Sequence, residues 1–473
     1  MLVALAIWGF VWVHAFSMDM THDEAYSFRL IKTNYFIALF GTANTHWLNS
    51  FFMKIFSLLF GDGPGWLRLH SVLAFPFYAW GLYHLVRLIK SDKAKIVFVA
   101  LLLFNPYVLD FFSLARGYGL ALTFQVWSLV YFVRGYEQGL HYRTWMMVWL
   151  LNLLTIASNL SYFYTVMGMA GYYGWLLIRS KTAGQGLGKP AYRILFLYVL
   201  LLLGTVADLL FIKYYGKDLS YGGDSNLVHS LIGSIWEGSF YQASNEQLVE
   251  IFSWVSFAML VLVCGYYGYG LLRTKKISLG LVLCLPFISL LALNIFFHLV
   301  LKTPYLFGRT ALQGYVPGVL MICFAIGSWR LVHLDLQRIT LAISALVVMA
   351  PVAHFREQAN RQWCYEWSLQ ANSKQAIEDL YALRPVHPAL GFSVGAVYTN
   401  YYHLLDSSLS PIAVELPDQE PVSSLALRVI LERSDYVISA YPATIACLQQ
   451  IGLRYEVLKT YQPGKNQLIR IYH

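Results

Sequence analysis

Two adjacent carboxylates, Asp23 and Glu24, stand just past the first apolar run of the chain, in the stretch Thr21-His22-Asp23-Glu24-Ala25-Tyr26. At a membrane surface such a pair could take a proton from a substrate hydroxyl as a general base, or hold a divalent cation. The same residues also spell a helix start. Thr21 as N-cap and Glu24 three residues on fit a capping box, and Asp23 in the first turn suits the helix dipole. Farther along the segment comes Ala43-Asn44-Thr45-His46-Trp47-Leu48-Asn49, where His46 and Asn49, three apart, share one helical face. Alone, His46 would read as a polar surface residue; it gains interest by sharing a loop with His22, Asp23 and Glu24. Two arginines complete the set. Arg116 lies in a turn running from Asp110 to Tyr118, and Arg309 lies in Phe307-Gly308-Arg309-Thr310. Each could grip a phosphate through two parallel hydrogen bonds. Each could equally pair with a neighbour such as Asp110, or snorkel to a lipid headgroup. Arg68, at the entry to the second apolar run, reads as an interface anchor. Asp208, inside an apolar run, demands a partner.

The elements that must position these residues are membrane helices. The 473-residue chain is 58% hydrophobic, 16% aromatic and 12% charged, about half the charge content of a soluble domain, roughly 25%. Its apolar residues come in runs of about twenty, the length that crosses a bilayer. We read about eleven spans, near residues 2–17, 69–89, 96–112, 117–134, 144–157, 160–178, 194–213, 249–272, 278–301, 311–329 and 338–353. The first lacks a basic leader and a small-residue cleavage site, and reads as a retained helix. Between the first two spans, Trp47, Leu48, Phe51, Phe52, Ile55, Phe56 and Leu59 recur at helical spacing, which predicts an amphipathic helix in the membrane interface. A net charge of +9 would suit nucleic acid. The Lys and Arg, however, sit in short clusters between apolar runs, around Arg87 to Lys95, Arg134 to Arg143, Arg179 to Arg193, Arg273 to Lys276 and Arg330 to Arg338. By the positive-inside rule those loops and the N-terminus are cytoplasmic. The stretches 18–68, 213–248 and 302–310, and everything after about residue 354, then face outward. We therefore expect a multi-pass protein of the cell inner (cytoplasmic) membrane, with no nucleic-acid partner.

Past residue 353 the composition changes, and no run is long enough to span. Ser373 to Leu383 reads as a helix; Ala389 to Tyr398, Tyr436 to Ser439 and Gln467 to Tyr472 read as strands. The fold class is thus mainly α. A polytopic helical bundle over 1–353, with the outer loop 18–68, precedes a small soluble α/β domain over 354–473 on the outer (periplasmic) side. Five cysteines are too few for a disulfide framework. Cys264, Cys284 and Cys323 lie in apolar runs, and Cys364 and Cys447 could pair.

These residues, in this order, resemble the GT-C superfamily of membrane glycosyltransferases, in the branch of the protein O-mannosyltransferases and the lipid A aminoarabinose transferase. That branch has an Asp-Glu pair right after its first membrane helix, here Asp23-Glu24. It often has a His-Pro-Pro-Leu element in the same loop, where this chain has His46-Trp47-Leu48-Asn49. It has an Ala-Arg-X-Tyr turn between the third and fourth helices, similar to Ala115-Arg116-Gly117-Tyr118. Many members carry Asp-Arg before a late helix, here Gly308-Arg309. The Pro pair after His46 and the Asp at 308 are departures. The likeness covers 1 to about 353.

The resemblance implies transfer of a sugar from a polyprenyl-phosphate donor to an acceptor hydroxyl on a lipid, a glycan or a protein. Asp23 would be the base. Arg309, Arg116 and His46 would neutralise the departing phosphate, and Glu24 would orient a side chain or, with Asp23 and His46, hold a divalent cation. Direct displacement would invert the anomeric carbon. A transporter is the rival from another class. It would place its polar residues and broken helices at the midplane, often in an inverted repeat; here they gather at the outer rim, and no repeat is visible. A lipid-carrier ligase or polymerase would need its Arg and His in a large late loop, and 213–248 has Lys213, Lys217 and His229 but no Arg.

Overall fold

A computed structural model of the protein describes residues 2–35, 46–184, 188–216, 222–223, 226–241, 246–328, 353, 355–356, 359–406, 415–416 and 424–473. Most of the eleventh expected span (338–353), together with Ala43 to Thr45, Lys217, Arg330 and Arg338, lies outside the described residues. By contacts the chain divides into two units. One comprises 1–11, 39–49 and 70–359, the other 12–38, 50–69 and 360–473.

In the first unit a helix lies at each remaining expected span. These include Leu69–Val86, Asp92–Leu103, Pro106–Phe112, Tyr118–Gln138, Tyr142–Ser158, Phe163–Thr182, Lys189–Phe211, Glu246–Thr274, Leu279–Leu301 and Tyr315–Ser328. Four described segments are by themselves long and apolar enough to cross a membrane: Lys189–Tyr214, Glu246–Thr274, Leu279–Leu301 and Gly308–Ser328. Two bent pairs, α1 (Leu2–Ser17) with α2 (His22–Thr33) and Asp92–Leu103 with Pro106–Phe112, would raise that to six, fewer than the runs alone suggest. The other helices carry internal polar groups that pair inside the bundle and dilute their hydropathy. Ser128 Oγ donates to Asn152 Oδ1 at 2.6 Å, Asn152 Nδ2 to the Tyr198 hydroxyl at 3.2 Å, and Gln125 Nε2 to the Gln313 carbonyl at 2.7 Å. Long apolar side chains such as Leu203, Leu262, Leu272, Phe296 and Leu299 stay exposed. An apolar outer surface over helices of this length belongs against lipid, and the chain is a multi-pass membrane protein.

Close helix contacts depend on small residues. A Cβ on Gly168 would lie 2.3 Å from the Leu285 carbonyl oxygen, so Phe163–Thr182 and Leu279–Leu301 approach backbone to backbone there. At Asn105-Pro106 the chain bends by 52°. Pro106 cannot continue the helical ladder, and Asn105 restarts it by accepting from the Tyr107 and Val108 amides. Asn105 Nδ2 also reaches Ser239 and Tyr315 at 2.8 and 3.0 Å.

The second unit contains α2 (His22–Thr33), the segment 50–69 and a five-stranded sheet. The strands are β1 (Pro388–Gly391), β2 (Glu415–Leu416), β3 (Tyr436–Ser439), β4 (Arg454–Tyr461) and β5 (Asn466–Tyr472), in the order β2-β1-β3-β5-β4. β1 is parallel to β2 and β3; β5 is antiparallel to β3 and β4. Alternation sends Leu390, Ile438 and Leu468 to one face, against Ile377 and Leu380. Ala389, Val437 and Ile469 go to the other, against Leu427, Leu431 and Leu448. The expected helix from Ser373 runs to Ala382. The expected strand Ala389 to Tyr398 is corrected. It ends at Gly391, and Phe392–Val397 is helical, because its apolar residues suit a buried helix as well as a strand. Cys364 and Cys447 are both buried, and the disulfide between them left open by the sequence is not formed.

Candidate functional site

In the second unit the sequence signature at the start of α2 folds as its letters require. Thr21 is extended at φ −81°, ψ 158°, and its Oγ1 accepts from the Glu24 amide at 3.3 Å, while the Thr21 amide donates to Glu24 Oε2 at 3.1 Å. The capping box is therefore complete. Glu24 has a second, larger commitment that the sequence did not reveal. Arg68 Nε and Nη2 donate to its two oxygens at 2.9 and 2.7 Å. The other Arg68 donors reach the carbonyls of Ala15 and Met18, both at 2.9 Å, and Asp19 at 2.7 Å. Both side chains are 0% exposed. This corrects the reading of Arg68 as an interface anchor: it is the tie that closes the turn from residue 15 to residue 24. The guanidinium has five N–H donors in a fixed fork, and each finds an acceptor here.

Asp23, beside this tie, is buried to 4% exposure. Its Oδ1 lies 3.1 Å from His22 Nε2. Ser27 Oγ donates to the Asp23 carbonyl at 3.0 Å. Nearby, burial pushes the Asp19 carboxyl above the usual carboxylate range, against the Lys374 amide, which donates to its Oδ2 at 3.2 Å. α2 is seated on residues from the sheet-bearing part of the same unit. Arg29 Nη1 donates to Asn400 Oδ1 at 3.1 Å, Phe28 meets Tyr401 edge-on at 5.1 Å, and His22 meets Phe392 at 5.6 Å. The helix Trp47–Phe60 ends in a turn fixed by Asp62, which takes Lys32 and Ser57, while its carbonyl accepts from the Tyr401 hydroxyl at 2.7 Å.

In the first unit the remaining candidates gather at one end of the bundle. Gly117 has φ +74°, and a Cβ there would lie 2.1 Å from the Ser158 carbonyl oxygen and 3.1 Å from His46 Cβ. Only glycine lets the chain at 117 approach the Ser158 carbonyl and the His46 side chain this closely. Arg116 is 1% exposed on one side of this glycine, and Tyr118 packs on His46 at 5.5 Å and on Phe111 at 4.7 Å on the other. Asn49 Nδ2 donates to the Ala115 carbonyl at 2.9 Å, and its Oδ1 lies 2.7 Å from His70 Nε2. His70 was not among the residues singled out by sequence, because a lone His inside an apolar run carries no signal. Asp110 accepts from the Tyr241 hydroxyl. Arg309 is partly exposed in the turn Gly308–Gly314, which packs against Leu160–Tyr162 and the helix Tyr118–Gln138. Gly308, at φ +53°, donates its amide to Ser234 Oγ at 2.8 Å.

His46 and Trp47 also line a cavity of about 290 Å³ whose walls are Trp149, Leu153, Leu197, Leu201 and Asp208, among others. No ion pair or hydrogen bond of the half-buried Asp208 side chain is found among the described residues, so the partner its position demands is not identified there. Nor do the described residues contain a group of three or more His, Cys, Asp and Glu fit to hold a metal ion. With both Glu24 oxygens taken by Arg68, a cation at Asp23 would have to draw its other ligands from elsewhere.

No family model matches the sequence, and no curated protein matches it. Among solved structures the chain is similar to ArnT from Cupriavidus metallidurans, bound to undecaprenyl phosphate and in the apo state. Both show 11% identity and a TM-score of 0.49 over 99% of this chain, and over 96% and 97% of those chains. It is also similar to the oligosaccharyltransferase AglB from Archaeoglobus fulgidus, in complex with an inhibitory peptide and a dolichol-phosphate. There the identity is 14% and the TM-score 0.41, over 92% of this chain and 69% of that one. None of these scores reaches 0.5, so the functional reading rests on the chain's own residues.

Proposed function

We propose that this protein is a GT-C-type glycosyltransferase that moves a sugar from a polyprenyl-phosphate donor to an acceptor hydroxyl at the outer face of the membrane, with inversion. The observation that carries the reading is Asp23. It is a buried carboxylate at the start of α2, next to a five-fold arginine tie and touched by an imidazole. A helix start needs a cap, and Thr21 supplies it with Glu24; the cap gives no reason to bury Asp23. In the proposed reaction the acceptor oxygen attacks the anomeric carbon, its proton passes to Asp23, and the C–O bond to the lipid phosphate breaks with its electrons on the phosphate. Glu24 serves as a holding group, through Arg68, and not as a second base.

The roles of Arg116, Arg309 and His46 in neutralising the phosphate rest on the sequence resemblance. An arginine excluded from water is worth most against a charge that develops in the transition state, which suits the buried Arg116. The apolar cavity beside His46 suits a prenyl chain. The reading needs no resident cation.

The test is release of label from radiolabelled polyprenyl-phosphate sugars by membranes carrying wild type or Asp23→Asn at equal expression. Wild type is expected to discharge the donor, and the variant to be slower by about 10²–10⁴-fold, the range for loss of a general base. A variant that keeps most of its rate makes Asp23 structural. Asp208, an ionisable residue on a membrane helix beside a cavity, is the one observation that favours transport. In a transporter Asp208→Asn would abolish function and Asp23→Asn would be tolerated.

A further inference from the structure

His22 and Asp23 are the first two residues of α2. Successive helical positions do not face each other, so helix geometry by itself does not bring an imidazole onto the next carboxylate. Here Nε2 nevertheless lies 3.1 Å from Oδ1. What backs the ring from outside the helix is Phe392, with centroids 5.6 Å apart and planes tilted by 59°. Phe392 opens the helix Phe392–Val397, directly after β1, and that helix packs on α2. Its position is set by the sheet, since β1 is paired on both sides and Gly391 sits tight against Ile438. His22 Nδ1 is buried without a hydrogen-bond partner among the described residues. The imidazole therefore meets Asp23 through Nε2, as a close contact between the ring and the carboxylate oxygen.

We propose that His22 is the positioning residue for Asp23 and that Phe392 holds His22 in that role. The C-terminal α/β segment then acts on the proton-abstracting carboxylate through a ring contact and a close imidazole–carboxylate contact. His22 moves no proton in this scheme. The acceptor's proton goes to Asp23, as above, and the imidazole fixes the direction in which the carboxylate meets it. The inference rests on the reading of Asp23 as base.

The experiment uses the full-length protein and the radiolabelled polyprenyl-phosphate sugar that wild type discharges fastest. It measures kcat and donor KM for His22→Phe, His22→Gln, Phe392→Ala, Phe392→Tyr and the double variant His22→Phe with Phe392→Ala. A misdirected base costs on the order of 10²-fold. His22→Phe is expected to lower kcat by about 10–100-fold with donor KM unchanged, and His22→Gln, which keeps an N–H donor, to recover most of the rate. Phe392→Ala should lower kcat about 10-fold and Phe392→Tyr should restore it. The double variant should be no slower than His22→Phe alone, because the two act through one contact. Wild-type kcat in Phe392→Ala, additive losses in the double variant, or a His22→Gln as slow as His22→Phe each overturn the inference. If that happens while Asp23→Asn is inactive, the inference alone fails. If Asp23→Asn turns over like wild type, the base reading fails and takes the inference with it. Gln and Tyr carry the test should the larger changes unfold the protein.

Discussion

At the scale of single residues, the pair Asp23-Glu24 divides its labour by partner. Glu24 is consumed by Arg68 and by the cap, and removing one member of a buried ion pair leaves the other uncompensated. Arg68→Met is therefore expected to destabilise the protein by about 3–5 kcal/mol, with Arg68→Lys between it and wild type because an ammonium keeps the charge but lacks the fork. Thermal unfolding in detergent reads this. Asp19 makes a different prediction. Burial raises its carboxyl above the ordinary value. A carboxyl raised by folding contributes stability that is fully present below its unfolded value and lost as pH rises through its folded one. Asp19→Asn, which keeps an acceptor for the Lys374 amide, is thus expected to melt higher than wild type at pH 7 and at the same temperature in acid below the carboxylate range. An equal difference at both pH values would show that the substitution acts by some other route. The sequence showed the cap and the carboxylates. It could not show Arg68, because a guanidinium 44 positions away in the chain is tied to Glu24 only by tertiary folding.

At the scale of elements, the turns carry the specificity. Gly117 permits a close approach to the Ser158 carbonyl and the His46 side chain that any side chain at 117 would block. Gly117→Ala combines a Cβ on backbone oxygen with a left-handed residue, itself worth on the order of 1–2 kcal/mol. It is expected to lower the melting temperature and to displace Arg116 and Tyr118, abolishing donor discharge; normal discharge with a normal melting temperature would count against the packing described for this turn. Gly308 has the same kind of backbone at φ +53°, which glycine adopts without strain. The helix and strand positions were largely legible from apolar spacing. The strand over 389–398 was not, because Phe392, Val394 and Val397 suit a strand or a buried helix equally. The short strand β2 and most of β4 lacked a run of apolar residues to mark them.

At the scale of the whole molecule, the basic loops predict that the tail faces outward. A cysteine placed at the exposed Gln450 should react with an impermeant maleimide on intact cells, with the buried Cys364 and Cys447 silent. Reaction only after permeabilisation would reverse the orientation, and with it the side on which the proposed transfer occurs. The contacts also group the chain differently from composition. Composition changes once, near residue 353, whereas packing joins α2 and the segment 50–69 to the C-terminal sheet. Composition cannot register that grouping, since it is made by contacts such as Arg29 with Asn400 and Tyr401 with Asp62, hundreds of positions apart in the chain.

The sequence by itself determined the membrane class, the helix positions, the capped start of α2 and the candidate base, because hydropathy, helical period and capping are local properties of the chain. The tertiary structure alone decided that Glu24 belongs to Arg68, that His22 lies between Asp23 and Phe392, and that the helical segment after β1 seats α2. Those are pairings between distant residues. Their energies come from burial and hydrogen-bond geometry, which exist only once the chain has folded.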